Sequence, residues 1–240
     1  MMKTLSGGVI GSKTVKIHPQ VFIGTIQSTA HCGVSAIHKR AVDGVLTLNS
    51  LGIEGDEQAE TRFHGGPDRA LCHYPQEHYE FWRQRYPQLE DLFLPSAFGE
   101  NLSTQGMTEE NVFIGDIYAW GDARIQVTQP RSPCYKLNGL TGVENFAQVM
   151  QDEGRCGWLY RVIKGGSVGA DTPLKLLSRN SDVSMQEAIM IAFHAPYDEE
   201  LYRRLLSAAG LSASWSLTMQ NRLEHHKIEE FSHRLFGRRG

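Results

Sequence analysis

The stretch from Asn111 to Pro130 constrains the fold of this chain more than any other. Two apolar runs with β-branched residues flank the pair Gly121 and Asp122, and Pro130 ends the second run. A Gly-Asp pair between two such runs is typical of a tight turn that joins antiparallel strands. The sequence therefore predicts a hairpin here and places antiparallel β-structure at the centre of the fold.

Shorter segments of the same kind surround this hairpin. Val21–Gln27 and Val42–Leu48 alternate, and RALCHYP and PLKLLSR are further strand candidates. Two helices are predicted between the strands, one with Pro75 as its first residue and one over Val143–Glu153. Because strands and helices do not alternate regularly, we expect residues 20–180 to form a mainly β domain, a closed or nearly closed β-barrel with inserted helices.

The pattern becomes helical near Asp182. Ser184 and Glu187 have the spacing of a capping box ahead of an apolar run, and later segments carry apolar residues at helical spacing. Residues 181–240 are therefore predicted to form a small all-α bundle of three or four helices. Residues 1–19 are predicted to be a flexible N-terminal extension.

Composition narrows the class of function. The 240 residues carry a net charge of -3, and acidic and basic residues balance in the helical tail, so we expect no nucleic-acid partner. No apolar run approaches the ~20 residues needed to cross a bilayer, and the first residues lack the apolar core of a secretory signal. The scattered cysteines contain no C-x-x-C pair, which is typical of reduced thiols. These features predict a cytoplasmic protein with no membrane partner.

Cys134 is the cysteine most suited to chemistry. It follows the predicted strand and lies in a bend that contains two prolines, so its thiol is held in a defined place. Arg131 and Lys136 are close in sequence and would favour the thiolate, which is a nucleophile and a soft metal ligand. The alternative is a buried, inert cysteine, the commoner fate of a free thiol. Cys72 is predicted to be such a core residue, and Arg234 to lie in a solvated terminus.

Two further loops contain candidate binding residues. His64, Asp68 and Arg69 surround a Gly-Gly pair whose exposed backbone N–H groups, next to an arginine, would suit an anion. The alternative there is a tight turn with a structural salt bridge. In the second loop, the amide of Asn101 could bind the edge of a heterocycle or could form an Asx-type turn.

Together these stretches resemble the MOSC family, whose domains are related to the C-terminal part of molybdenum-cofactor sulfurases. The resemblance is carried by the ordered motifs GIEGDEQ, FHGGPDRALCHYP, FGENLS, IGDIYAWG and QPRSPCYKL. It is greatest to the YiiM type, in which a three-helix domain follows the MOSC domain. It implies a MOSC β-barrel and a small C-terminal all-α bundle, in agreement with the pattern of the sequence.

The resemblance also implies a bound molybdenum cofactor (molybdopterin), with Cys134 as a direct ligand of molybdenum. This cofactor is an anionic, partly planar pterin with a dithiolene pair and a phosphate, and the family is also associated with pyridoxal phosphate binding. His64 and Asp68 are the candidates for a catalytic proton donor. The positions expected to bind the cofactor are His64, Arg69, Asn101, Arg131, Ser132 and Lys136.

Relatives in this family reduce N-hydroxylated compounds such as hydroxylaminopurines and amidoximes. The resemblance therefore implies reduction of a small N-hydroxylated substrate to an amine. The electrons would come from a separate reductase, because the chain shows no flavin or iron–sulfur ligand pattern. The helical tail could be a docking surface, a homodimer surface or a structural cap.

Two other functions are compatible with the same residues. In the first, the protein is a sulfur or cofactor carrier, and Cys134 holds a persulfide or transfers the cofactor without turnover. In the second, it is a non-enzymatic binding module that acts through its helical tail.

Overall fold

The computed structural model describes residues 16–29, 33–59 and 65–237, and its strands form one large sheet and two small ones. The strands are β1 Gln20–Ile23, β2 Gln27–Thr29, β3 Gly33–Ser35, β4 Arg40–Ala41, β5 Val45–Asn49, β6 Gly52–Ile53, β7 Leu71–Pro75, β8 Leu102–Thr104, β9 Ile117–Trp120, β10 Ala123–Pro130, β11 Trp158–Lys164, β12 Gly166–Gly169 and β13 Leu174–Ser178. The α-helices are α1 Glu77–Arg85, α2 Lys136–Thr141, α3 Phe146–Asp152, α4 Met185–Ile189, α5 Glu199–Leu206, α6 Ala213–His225 and α7 Ser232–Phe236. Short turns of other helix types cover Pro67–Arg69, Pro87–Leu89 and Met190–His194.

The predicted central hairpin is confirmed as β9 and β10. The two strands pair antiparallel, with Trp120 opposite Ala123, and Gly121 in the turn has a φ of 58°. The carbonyl oxygen of Ser167 lies only 2.2 Å from where a β-carbon at Gly121 would be. Only glycine fits there, because any other residue would clash with the backbone of β12.

Eight strands form one curled sheet in the order β13-β9-β10-β11-β7-β8-β1-β4. All neighbours are antiparallel except β7 and β8, which run parallel. Near the open side, the backbone N–H of Leu174 on β13 donates to the carbonyl of Ile17, just before β1. The predicted mainly β fold with inserted helices is therefore confirmed, as a half-barrel whose edge strands do not pair with each other among the described residues.

The inserted helices differ in detail from the prediction. Pro75 is the last residue of β7, opposite Thr104, and the first helix begins only at Glu77. The second predicted helix is shorter, at Phe146–Asp152, and it is preceded by the unpredicted helix α2. α2 begins two residues after Cys134, so the bend at Cys134 joins the end of β10 to a helix.

The C-terminal residues are helical, as predicted. The Ser184 hydroxyl accepts a hydrogen bond from the backbone N–H of Glu187 at 3.0 Å, and Ser212 caps α6 in the same way. The last helix, α7, does not extend away from the sheet. Its Arg234 carbonyl accepts a hydrogen bond from the backbone N–H of Tyr135, and its Leu235 carbonyl accepts one from the Asn138 side chain.

Two hydrophobic clusters stabilise this arrangement. The first fills the curve of the sheet and continues into the C-terminal helices through Tyr202, Leu205 and Met219. The second is aromatic and lies under the Cys134 bend, where Leu137 packs with α1 and α3. Each large apolar side chain buried in this way contributes ~1.5–3 kcal/mol to the stability of the fold. The bend therefore rests on a rigid base.

The described residues test the predictions for the N-terminus and for membrane contact only in part. Residues 1–15 of the predicted extension lie outside them, while Ile17 pairs with Leu174. In the described part of the chain, no helix has both the length and the apolar character needed to span a bilayer.

Candidate functional site

The Cys134 bend is fixed by backbone hydrogen bonds on both sides. The N–H of Arg131 donates to the Gly157 carbonyl at 3.0 Å, and the Cys134 carbonyl accepts from the N–H of Leu137 at 2.9 Å. Cys134 itself is half-buried and lines a cavity of about 570 Å³, which we call the Cys134 cavity. The thiol is therefore held in place and is not enclosed by the core. A volume of this size is typical of small-molecule and cofactor sites.

Positive charge dominates the wall of the Cys134 cavity. Two carboxylates, Asp56 and Glu57, are outnumbered there by cationic side chains. Asp56 is moreover paired with one of the cations, in an ion pair that is almost fully buried. The excess of cations makes the cavity suited to an anionic ligand. The cationic side chains are Lys39, Arg69, Arg131, Lys136 and Arg234.

Arg131 has the clearest capacity to bind a ligand. Its Nη1 atom is buried and has no hydrogen-bond partner among the residues that the structure describes. Burial alone would lower the pKa of Arg131, but the nearby Cys72, Cys134 and Glu100 outweigh it and raise the pKa. A buried donor without a partner is costly to the fold, and an anionic acceptor in the cavity would remove that cost.

Arg69, Ser132 and Lys136, three of the predicted cofactor-binding residues, also line the Cys134 cavity. The guanidinium of Arg69 donates to the Ser214 hydroxyl at 2.9 Å, and burial lowers its pKa against the opposing effect of Asp68. The ammonium of Lys136 donates to the Val34 carbonyl at 3.2 Å.

Asn101 lines the cavity, but its side chain is used to hold the protein together. Its Nδ2 donates to Asp56 at 2.8 Å and to the Phe22 carbonyl at 3.2 Å, and its Oδ1 accepts from the backbone N–H of Cys72. The predicted contact with a heterocycle edge would therefore break these hydrogen bonds. The geometry supports a different role, in which Asn101 orients Asp56 and joins β1 to β7.

Asp68 is not in the Cys134 cavity. Its Oδ1 pairs with Arg161 at 2.9 Å, and its Oδ2 accepts from the backbone N–H of Ala213 at the start of α6. These contacts correspond to the structural salt bridge that the sequence left as an alternative, and they join the half-barrel to the C-terminal helices. Gly66, in the turn before Asp68, has the positive φ that a Gly-Gly pair allows, at 98°. The predicted site residue His64 lies outside the described residues.

Two residues that the sequence assigned to other roles line the Cys134 cavity. Cys72, predicted to lie in the core, borders the cavity from β7; burial raises its pKa, and Arg131 partly opposes that effect. Arg234, predicted to be solvated, donates to the Pro133 carbonyl and to the Gln151 side chain. Burial lowers the pKa of Arg234, while Cys156 and Cys134 act in the opposite direction.

The family models match the two parts of the chain separately. Residues 60–175 match the MOSC domain, and residues 183–226 match the YiiM-like 3-alpha helix domain. Protein YiiM of Escherichia coli is 59% identical over 218 residues, which cover 91% of this chain and 97% of that protein. This chain belongs to the MOSC family, with the helical domain of YiiM-like members. Helix α7, which carries Arg234, lies beyond both matched segments of this family member.

Solved structures share the architecture of this MOSC protein over most of its length. The crystal structure of YiiM from Escherichia coli has a TM-score of 0.82 and 52% identity, and covers 93% of this chain and 100% of that chain. The structure of YiiM from Geobacillus stearothermophilus has a TM-score of 0.72 and 31% identity, and covers 85% and 97%. A protein of Gibberella moniliformis named Reductase is 40% identical over 163 residues, which are 67% of this chain but only 29% of that protein.

Proposed function

We propose that the protein reduces N-hydroxylated compounds at a molybdenum cofactor bound through Cys134, converting hydroxylaminopurines to amines and amidoximes to the corresponding amidines. The observation that carries this proposal is the half-buried Cys134 thiol at the wall of a cavity with five cationic side chains. A soft thiolate suits a metal such as molybdenum, and the cationic wall suits an anionic cofactor.

The side chains of the cavity fit a metal whose other ligands come from its cofactor. Among the described residues, no group of three or more His, Cys, Asp and Glu side chains could hold a metal ion. A cofactor with a dithiolene pair needs only one thiol from the protein, and Cys134 provides it. Arg131 would give its unpaired Nη1 to an anionic group of the cofactor.

The other residues of the cavity would orient the cofactor. Arg69, Lys136 and Arg234 add positive charge from three separate parts of the chain, and Ser132 adds a hydroxyl next to the bend. Lys39 is kept at the wall by its buried ion pair with Asp56. Because these groups are fixed by packing and hydrogen bonds before a ligand arrives, little reorganisation is needed on binding.

The reaction takes up two electrons and two protons for each N–O bond cleaved. An N-hydroxylated compound R–NH–OH becomes the amine R–NH₂ and one water molecule. The bound cofactor supplies the two-electron chemistry. The protein would orient the N–O bond and deliver protons. His64 and Asp68 are the candidate proton donors, and the contacts of the Asp68 carboxylate with Arg161 and Ala213 favour His64.

The electrons would come from a separate reductase in the cytoplasm. The named Reductase of Gibberella moniliformis supports a role of this fold in reduction. Homodimer formation is a separate prediction.

The proposal is tested by activity in a host that makes the molybdenum cofactor. We expect the purified protein, supplied with an electron-donating reductase, to convert 6-N-hydroxylaminopurine to adenine. Cys134→Ala should lower this rate to background, because the only thiol proposed to bind the metal is removed. Cys156→Ala is the matched control, since Cys156 is fully buried and does not line the cavity. Parental activity in Cys134→Ala would refute the proposal.

The carrier function is favoured by one specific observation, the second thiol of Cys72 in the same cavity. A carrier would accept a sulfur atom from a persulfide donor onto Cys134 without reducing any N-hydroxylated compound. Mass spectrometry would then find a gain of about 32 Da on Cys134. We expect no such gain in protein that contains molybdenum.

A further inference from the structure

A second cavity of about 270 Å³ lies beside the Cys134 cavity, between the C-terminal helices and the Cys134 bend. We call it the aromatic cavity. The two cavities have four lining residues in common: Ser132, Trp215, Thr218 and Arg234. A ligand in the aromatic cavity would therefore be separated from the Cys134 cavity only by these side chains.

Aromatic rings form a large part of the wall of this second cavity. The ring of Phe193 lies edge-on to those of Trp215 and Phe231, with centroid distances of 5.7 and 5.8 Å. Phe193 and Phe231 are only half-buried, and the guanidinium of Arg234 lies over both rings, 5.1 and 5.2 Å from their centroids. Aromatic side chains at a cavity favour a flat ligand ring, because ring–ring contacts bury apolar area and have a preferred geometry.

The charged groups of the aromatic cavity balance, with the two carboxylates matched by the guanidiniums of Arg222 and Arg234. Glu229 and Glu230 both line it, and Glu229 accepts hydrogen bonds from Arg222 at 2.7 and 2.8 Å. Arg222 is 2% exposed, and its Nη1 has no hydrogen-bond partner within the described ranges. Carboxylates accept from amino groups, and the guanidinium can donate to a ring nitrogen. This combination matches a neutral ring that carries both donors and acceptors.

We propose that the aromatic cavity is the subsite for the flat amino-heterocycle of an N-hydroxylated substrate. Phe193, Trp215 and Phe231 then determine the preference for aromatic over aliphatic substrates. The inference rests on the proposed function for the identity of the substrate, but binding of the ring itself requires neither cofactor nor turnover. A small aliphatic amidoxime would leave the aromatic wall without a contact.

Binding is measured first, by the fluorescence of Trp215. The other tryptophans, Trp82, Trp120 and Trp158, are fully buried and line neither cavity, so quenching reports a ligand beside Trp215. Dependence on Phe231, which lines only the aromatic cavity, assigns the ligand to that cavity. We expect adenine to quench the parental protein and Phe231→Ala to weaken its binding about tenfold, the order of one lost ring stack. Trp215→Phe should remove the signal. Phe81→Ala is the matched control, because Phe81 is half-buried on α1 and lines neither cavity.

Turnover is measured second, with 6-N-hydroxylaminopurine and the aliphatic acetamidoxime. In Phe231→Ala the ratio of kcat/KM for the purine over the amidoxime should fall about tenfold. Phe231→Leu, which keeps apolar volume without a ring, should lower the ratio as well and serves if the alanine variant is unstable. The inference is overturned if the adenine Kd of both variants matches the parental value, or if both substrates are affected equally. Should the protein reduce neither compound while adenine binding still depends on Phe231, the proposed function fails and the ring subsite stands.

Discussion

The Cys134 cavity and the aromatic cavity share a wall but differ in chemistry. The first is bordered by five cationic side chains, most of them from the half-barrel and its loops. The second is lined by three aromatic rings, two carboxylates and two arginines, all from the C-terminal helical part of the chain, so its charges balance. The difference suggests a division in which one cavity binds an anion and the other a neutral ring. If so, removing a charge from the first and a ring from the second should change different properties.

Among the variants that test this comparison, Arg131→Met should have the largest effect. Arg131 has a buried donor with no described partner, so the uncharged variant should lose the anionic cofactor easily. We expect molybdenum retention after gel filtration to fall tenfold or more, in line with the ~1.5–3 kcal/mol of a hydrogen bond to a charged group. The same change should lower the Tm of the cofactor-free protein slightly, because the neighbouring Cys72, Cys134 and Glu100 favour the charged guanidinium in the folded state.

Arg124→Met controls for the loss of a positive charge. Arg124 lies on the same strand, β10, but its side chain is exposed and does not line the cavity. We expect neither the molybdenum retention nor the Tm to change in this variant. Equal retention in the Arg131 and Arg124 variants would contradict the anion-binding role of the Cys134 cavity.

A smaller effect, on how the unfolding free energy depends on pH, should distinguish the Cys134 cavity from the interior of the half-barrel behind it. Cys72 borders the cavity, whereas the next residue on β7, His73, is fully buried between Tyr160 and Thr104. Burial lowers the pKa of His73 to about 3, so the folded protein holds this imidazole neutral. In the unfolded chain the pKa is ~6.5. The associated stability is therefore complete above pH ~6.5 and is lost as the pH falls towards 3.

Urea unfolding at two pH values measures this effect. Between pH 7 and pH 5 we expect His73 to account for ~2 kcal/mol of lost unfolding free energy, because each pH unit below ~6.5 costs ~1.4 kcal/mol. His73→Gln should show a correspondingly smaller loss over the same interval. An identical loss in both proteins would mean that the interior accommodates the charged imidazole.

The smallest expected effect concerns the connection between the two regions. Asp68 joins Arg161 of β11 to the start of α6, so Asp68→Asn should lower the unfolding free energy by ~1–2 kcal/mol through the weakened ion pair and cap. We expect kcat to stay within about twofold of the parental value, since the carboxylate lies outside both cavities. Asp122→Asn, in the exposed turn of the central hairpin, is the matched control. A large fall in kcat at unchanged stability would instead support a catalytic role for Asp68.

Local features of this fold could be predicted from the sequence. The β9–β10 hairpin follows from alternation around Gly121, and the Ser184 cap follows from a four-residue pattern, because both depend on neighbouring residues. The prediction that Pro75 begins a helix is wrong, because a proline can begin a helix or end a strand, and only the pairing with Thr104 decides. Helix α2 was not predicted, because the local sequence contains no helix-start pattern other than the two prolines before it.

The composition of the cavities could be predicted only in part. Arg131 and Lys136 were found because they are near Cys134 in sequence, but Arg234 comes from a helix about one hundred residues later and was expected to be solvated. Cys72 lies in an apolar strand, and no alternation pattern reveals that one face of that strand borders a cavity. Asn101 was found as a polar loop residue, yet its hydrogen bonds to Asp56 and Phe22 depend on the folded arrangement of three segments.

The molybdenum content of the full chain tests the central claim most directly. After expression in a host that makes the cofactor, metal analysis of the parental protein and of Cys134→Ala should be carried out side by side. The account predicts near-stoichiometric molybdenum in the parental protein and background levels in the variant, with Cys156→Ala resembling the parent. Equal molybdenum in the parental and Cys134→Ala proteins, or none in any of them despite an active cofactor pathway in the host, would contradict it.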